Sequence, residues 1–152
     1  MSRDPLTEGQ QDGDMKAVGL SNLEQTLADL RTRLERAFSP ETAAPGFAGQ
    51  AQSTGHCAAV SVIVSRLLGA AMVSAKIHGQ SHWFNRISVG AEQYDLDLTG
   101  DQYGFPPVQC TQAEKLYPAT RVRSQEEINA ETLRRARLLA TRAGFPAVAS
   151  SL

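Results

Sequence analysis

The sequence is short of cysteine. Its two, Cys57 and Cys110, are too few and too far apart for the disulfide frameworks that hold small secreted domains together, and they fit a reducing compartment. It also lacks an excess of charge of either sign. Fifteen basic against sixteen acidic side chains leave a formal net charge of −1, which gives no nucleic-acid or membrane-surface footprint. No apolar run reaches the ~18 residues of a membrane span, and no basic segment followed by an apolar stretch opens the chain, so no secretory signal is expected. The expectation is a cytoplasmic protein with no nucleic-acid or membrane partner and no cofactor. At 152 residues one domain is expected, burying roughly 70% of its unfolded surface.

What is present is organised. Residues 1–19 are polar, with little to bury, and read as a flexible tail. One domain is expected over 20–146, with 147–152 frayed. Ser21 and Glu24 have the spacing of a capping box. Leu23, Leu27, Leu30, Leu34 and Phe38 then recur at helical spacing, predicting an amphipathic helix over 21–38 that Pro40 stops. A second amphipathic helix is expected over 126–143. It has Ser124 and Glu127 as its capping box, and Arg134, Arg135, Arg137 and Arg142 on the solvent face.

Between these lies the stretch around which the chain is built. Cys57 opens the run Ala58 to Leu68, apolar on nearly all sides, and Gly69 follows. A helix apolar all round is buried, and glycine is the natural residue just past its end. A thiol at a helix N-terminus has its thiolate stabilised and becomes a better nucleophile. A cysteine beside an apolar helix is also often a small core residue. Upstream, Gln50 and Gln52 sit in a loop rich in proline and glycine. Either is a surface residue or a side-chain donor to an oxyanion.

Downstream come three alternating, strand-like pieces, 71–78, 82–89 and 93–99. A two-residue turn at Gly90-Ala91, pairing Val89 with Glu92, puts Phe84 opposite Asp97, with His82 one diagonal away on the same face. A three-residue turn would put His82 and Asp97 on opposite faces. Asp95 shares that face but lies further from His82, so Asp97 is the expected partner. Cysteine, histidine and aspartate then have the roles of a catalytic triad: Cys57 as nucleophile, His82 as proton carrier and Asp97 orienting the imidazole.

The motifs Gly55-His56-Cys57, His82-Trp83-Phe84-Asn85-Arg86 and Asp97-Leu98-Thr99-Gly100-Asp101-Gln102-Tyr103 resemble those of the YunG-like family of bacterial proteins, over about 36–140. That resemblance implies an α+β fold similar to papain-like and transglutaminase-like cysteine enzymes. Its central helix bears the cysteine and packs on an antiparallel sheet, with helices flanking at both ends of the chain. It implies a cysteine-dependent hydrolase or acyltransferase acting on an amide or acyl substrate. Gln50, Gln52, His56, Trp83, Asn85 and Gln102 are the supporting candidates. Where the family carries glutamine before the cysteine, this chain has His56. Two other classes are weighed: a non-catalytic binding protein with a degenerate site, and a metal site built from His56, Cys57, His78 and His82.

Overall fold

A computed structural model describes residues 8–47 and 49–152. Helix α1 runs over Glu8–Ala37 and buries Leu23, Leu27, Leu30 and Leu34 of the stripe read from the sequence, together with Ala37; Phe38, the last of that stripe, lies just past the helix and is half-buried. It does not begin at Ser21. No proline interrupts the chain between Pro5 and Pro40, and glycine inside a helix weakens it by only about 1 kcal/mol, so the helix continues back through residues 8–19 of the segment expected as a flexible tail; residues 1–7 of that segment lie outside the described residues. Helix α2, Cys57–Leu68, ends at Gly69 in the left-handed conformation (φ 69°), as the spacing predicts. Helix α3 covers Ala130–Arg142. Its cap is Asn129, whose side chain accepts from the Thr132 N–H at 2.8 Å. The Ser124–Glu127 box forms, but closes a single 3-10 turn at 125–127 because Ile128 is extended. The end of the chain is not frayed: Pro146–Ser151 forms helix α4, started by proline in its first turn and held by the buried Val148.

The strands are β1 (Ala71–Ile77), β2 (Gln80–Val89), β3 (Glu92–Asp97), β4 (Gln109–Gln112) and β5 (Arg121–Arg123). They form one antiparallel sheet in the order β4-β3-β2-β1-β5. The class is thus α+β. Val89 pairs with Glu92, so the turn at Gly90-Ala91 has two residues as expected. The turn between β1 and β2 is made by His78 and Gly79, both at positive φ, the geometry favoured by tight hairpins. The short polar strands β4 and β5 were not anticipated.

The sheet has a core on each face. The helices cover one, where Met72, Tyr94, Leu96 and Leu98 join the leucines of α1 and the apolar side chains of α2 and α3. On that side the Asn85 amide donates to the Ser61 carbonyl of α2 at 2.9 Å and to the Ala71 carbonyl at 3.3 Å. The other face carries a smaller core of Val73, Ala75, Phe84 and Tyr117. His82, Asp95 and Asp97 lie on this second face by strand alternation.

Candidate active site

His82 and Asp97 are both buried, at 0% and 1% exposure, and His82 Nε2 lies 2.7 Å from Asp97 Oδ2. The register that the hairpin arithmetic requires is the one observed. Asp95 is engaged elsewhere: Arg86 grips it with Nε at 2.6 Å and Nη2 at 3.1 Å. The Glu114 N–H donates to it at 3.0 Å.

Asp97 is saturated with donors. Besides His82 it accepts from the Thr99 N–H at 2.9 Å and the Thr99 hydroxyl at 3.3 Å, and Tyr117 donates its hydroxyl to Oδ2 in a short hydrogen bond. Gln109 in turn donates to Tyr117 at 3.1 Å. Burial and the charge on Asp97 push the Tyr117 phenol well above its ordinary range, so it stays a donor. Gly100 is required here by space. A Cβ on it would stand 2.7 Å from Gln109 Nε2 and 3.1 Å from Asp97 Oδ2.

The imidazole of His82 carries opposing influences. Burial, the largest, disfavours its charged form. Hydrogen bonding and charge from Asp97, together with the nearby Cys57 sulfur, outweigh it, and the pKa rises from 6.5 to about 9. Cys57 opens α2, whose N-terminus has no side-chain cap and no acidic residue in its first turn. The first N–H groups of the helix, with their positive partial charge, therefore stand beside the thiol. Among the described residues, three buried side-chain polar atoms lack a hydrogen-bond partner: Thr54 Oγ1, His82 Nδ1 and Tyr103 Oη. Buried polar groups are ordinarily satisfied, and exceptions need a reason. Two of the three belong to neighbouring rings: Tyr103 and His82 pack nearly perpendicular, 5.0 Å between centroids. Burial, with negative charge at Cys57 and Asp97, raises the Tyr103 pKa.

The supporting candidates separate. Trp83 lines a cavity of about 350 Å³ together with Cys57, its ring 5.2 Å from the Arg123 guanidinium. Gln102 sits behind Cys57: its amide donates to the Thr99 carbonyl at 3.1 Å and its oxygen accepts from the Gly55 N–H at 3.2 Å. It braces the loop and does not offer an oxyanion donor. Asn85 ties β2 to α2, on the sheet face opposite His82. Gln50 and Gln52 are exposed, and Gln52 lines a different cavity, with His56 and Phe38. His56 is structural. Thr42 Oγ1 lies 2.7 Å from its Nε2 and the Thr54 carbonyl 3.0 Å from its Nδ1, while Phe38 packs on its ring at 4.2 Å. Burial lowers its pKa, against the hydrogen bonds from the backbone, so it is neutral and serves as an anchor for the loop before α2. With both His56 nitrogens engaged and His82 held by Asp97, the four residues weighed as metal ligands do not converge. Among the described residues no group of three or more His, Cys, Asp or Glu could hold a metal ion.

Gly55, at φ +79°, lets the chain turn into α2, where a Cβ would press within 2.9 Å of the Ala44 carbonyl oxygen. A buried cation fastens the other side. Arg31 of α1 reaches the Leu98 carbonyl at 2.7 Å and both carboxylate oxygens of Asp101 at 2.8 and 3.0 Å. Ser53 donates to the same carboxylate at 2.5 Å.

The fold and site together define an α+β protein with a helix-borne cysteine beside a buried histidine–aspartate pair. The family model described as YunG protein matches residues 26–143, and the chain belongs to that family. No curated protein and no solved structure matches it. No helix among the described residues is long and apolar enough to cross a membrane.

Proposed function

We propose that the protein is a cysteine-dependent hydrolase or acyltransferase acting on an amide or acyl substrate, with a papain-like or transglutaminase-like arrangement of Cys57, His82 and Asp97. One observation carries the reading. His82 is fully buried, with Nε2 held by Asp97 and Nδ1 without a hydrogen-bond partner among the described residues, beside a cysteine at an uncapped helix N-terminus. A buried imidazole with one nitrogen idle is costly unless that nitrogen has work to do.

In this mechanism the Cys57 thiol proton resides on His82 Nδ1, and Asp97 stabilises the imidazolium. The sulfur adds to the substrate carbonyl. The oxyanion is met by N–H groups opening α2 and by the hydroxyl of Tyr103, which has no other acceptor among the described residues. Collapse expels the leaving group, which takes the proton from Nδ1, and a thioester remains on Cys57. Water, or an amine in a transfer reaction, attacks the thioester, gives its proton to His82 and frees the thiol.

The test is the alkylation rate of Cys57 by iodoacetamide across pH, in wild type and in His82→Ala. The mechanism requires a reactive plateau below the free-thiol pKa of ~8.5 that the substitution abolishes. Slow alkylation that does not respond to His82 removes the enzyme reading.

A further inference from the structure

Four arginines of α3 read from the sequence as a solvated face. Arg134, Arg137 and Arg142 are exposed, but Arg135 is not: it is 9% exposed and turned inward. It reaches the cavity that Cys57 lines, together with Thr132, Trp83, Ser81 and Phe47. Its Nη2 donates to the Thr132 hydroxyl at 3.1 Å. The nearest carboxylate to it among the described residues is that of Glu131, 3.8 Å from Nη1. That carboxylate is itself largely exposed and is held by Arg134 at 3.1 Å. A buried guanidinium ordinarily has a close, hydrogen-bonded counter-charge, because leaving it without one is costly. Here the counter-charge is weak and the guanidinium shares its cavity with the nucleophile. At about 350 Å³ the space is at the small end of small-molecule sites. Besides Arg135 it is lined by neutral side chains. The fork of a guanidinium fits carboxylate and phosphate alike, but its single positive charge balances a carboxylate monoanion and leaves a buried phosphate dianion half uncompensated.

We propose that this cavity binds a carboxylate through Arg135, so that the substrate is an acyl compound bearing a carboxylate near the bond to be broken. The binding half stands on the cavity, and the reaction half rests on the acyl-transfer reading above.

The test alkylates Cys57 in the full chain with two pairs of reagents that differ only in charge. They are iodoacetate with iodoacetamide, and N-iodoacetylglycine with its amide. Each reaction joins sulfur to the methylene carbon and releases iodide, so the charge preference is read without the natural substrate. The reference is the same ratio at Cys57 in the chain unfolded in urea, with the site identified by mass spectrometry. In the folded protein the longer carboxylate is expected to gain about tenfold over its amide relative to that reference, the scale of one charge-assisted hydrogen bond. Arg135→Gln is expected to abolish the gain and Arg135→Lys to retain part of it. A folded ratio equal to the unfolded one overturns the proposal without any variant having to fold, and so does a preference that survives in Arg135→Gln. The neutral reagents report separately on the nucleophile. If their rate is slow and unchanged in His82→Ala, the acyl-transfer reading fails while the charge ratio still decides the carboxylate site.

Discussion

Replacing Asp97 with asparagine tests the heart of the site. In wild type the His82 pKa stands at about 9, against 6.5 for a free imidazole. The raised value means that the folded state favours the protonated form. The stabilisation is fully present below pH 6.5 and is lost as pH rises through about 9. At 1.36 kcal/mol per pKa unit it amounts to about 3 kcal/mol, with little solvent screening because neither side chain is exposed. Asp97→Asn removes the charge and puts an amide N–H₂ or its oxygen where Oδ2 now accepts from both His82 and Tyr117. Burial is then opposed by Cys57 alone, and the His82 pKa falls well below its wild-type value. Breaking a buried pair by one partner costs about 3–5 kcal/mol. Urea unfolding followed by Trp83 fluorescence measures the difference, and NMR titration of the imidazoles measures the pKa. The stability gap between wild type and variant is expected to narrow, by up to about 3 kcal/mol, as pH rises from 6.5 to above 9. A gap independent of pH over that window, or a wild-type His82 titrating at or below 6.5, refutes the reasoning.

Tyr103→Phe removes a buried hydroxyl that has no partner among the described residues. Stability should hold or rise slightly, while acylation of Cys57 by p-nitrophenyl acetate should slow by about 10²-fold or more, the scale of one oxyanion donor. Gly100→Ala should lower stability by about 1–3 kcal/mol, the usual penalty of overpacking. It should also move the His82 resonance, since its Cβ crowds the Asp97 carboxylate. His56 has a lowered pKa, so the unfolded chain takes up its proton first and stability should fall as pH drops below about 6.5. His56→Gln, compared by urea unfolding at pH 5 and 7, should flatten that slope and leave the pH response of Cys57 alkylation intact.

Much of the site's frame was legible because it depends on short-range patterns. The apolar run after Cys57 and the glycine at 69 set α2 with its ends. Strict alternation and a two-residue turn at Gly90-Ala91 brought His82 and Asp97 to one face, since a period of two leaves no freedom once the turn length is known. The start of α1 was misread because a capping box carries information only where a helix actually begins, and nothing before Ser21 breaks the helix. Tyr117 was missed because it arrives from an irregular segment between β4 and β5 whose path no local pattern specifies. Arg135 had a signal that went unused. It sits three residues after Thr132 and lies on the same face as Ala136 and Leu139, which is the buried side of the helix.

The carboxylate of Asp101 gathers three distant parts of the chain: the guanidinium of Arg31, the hydroxyl of Ser53, and the turn that carries Gln102 and Tyr103. The sheet and its two cores do not require that knot, but the mouth of the site does. Gln102, next to it, accepts from the Gly55 N–H, and Tyr103 follows in the same turn. The loop before Cys57 and the turn beside His82 are thus fastened to one carboxylate, and loss of Arg31 or Asp101 would slacken both together while the apolar contacts of the two cores remain.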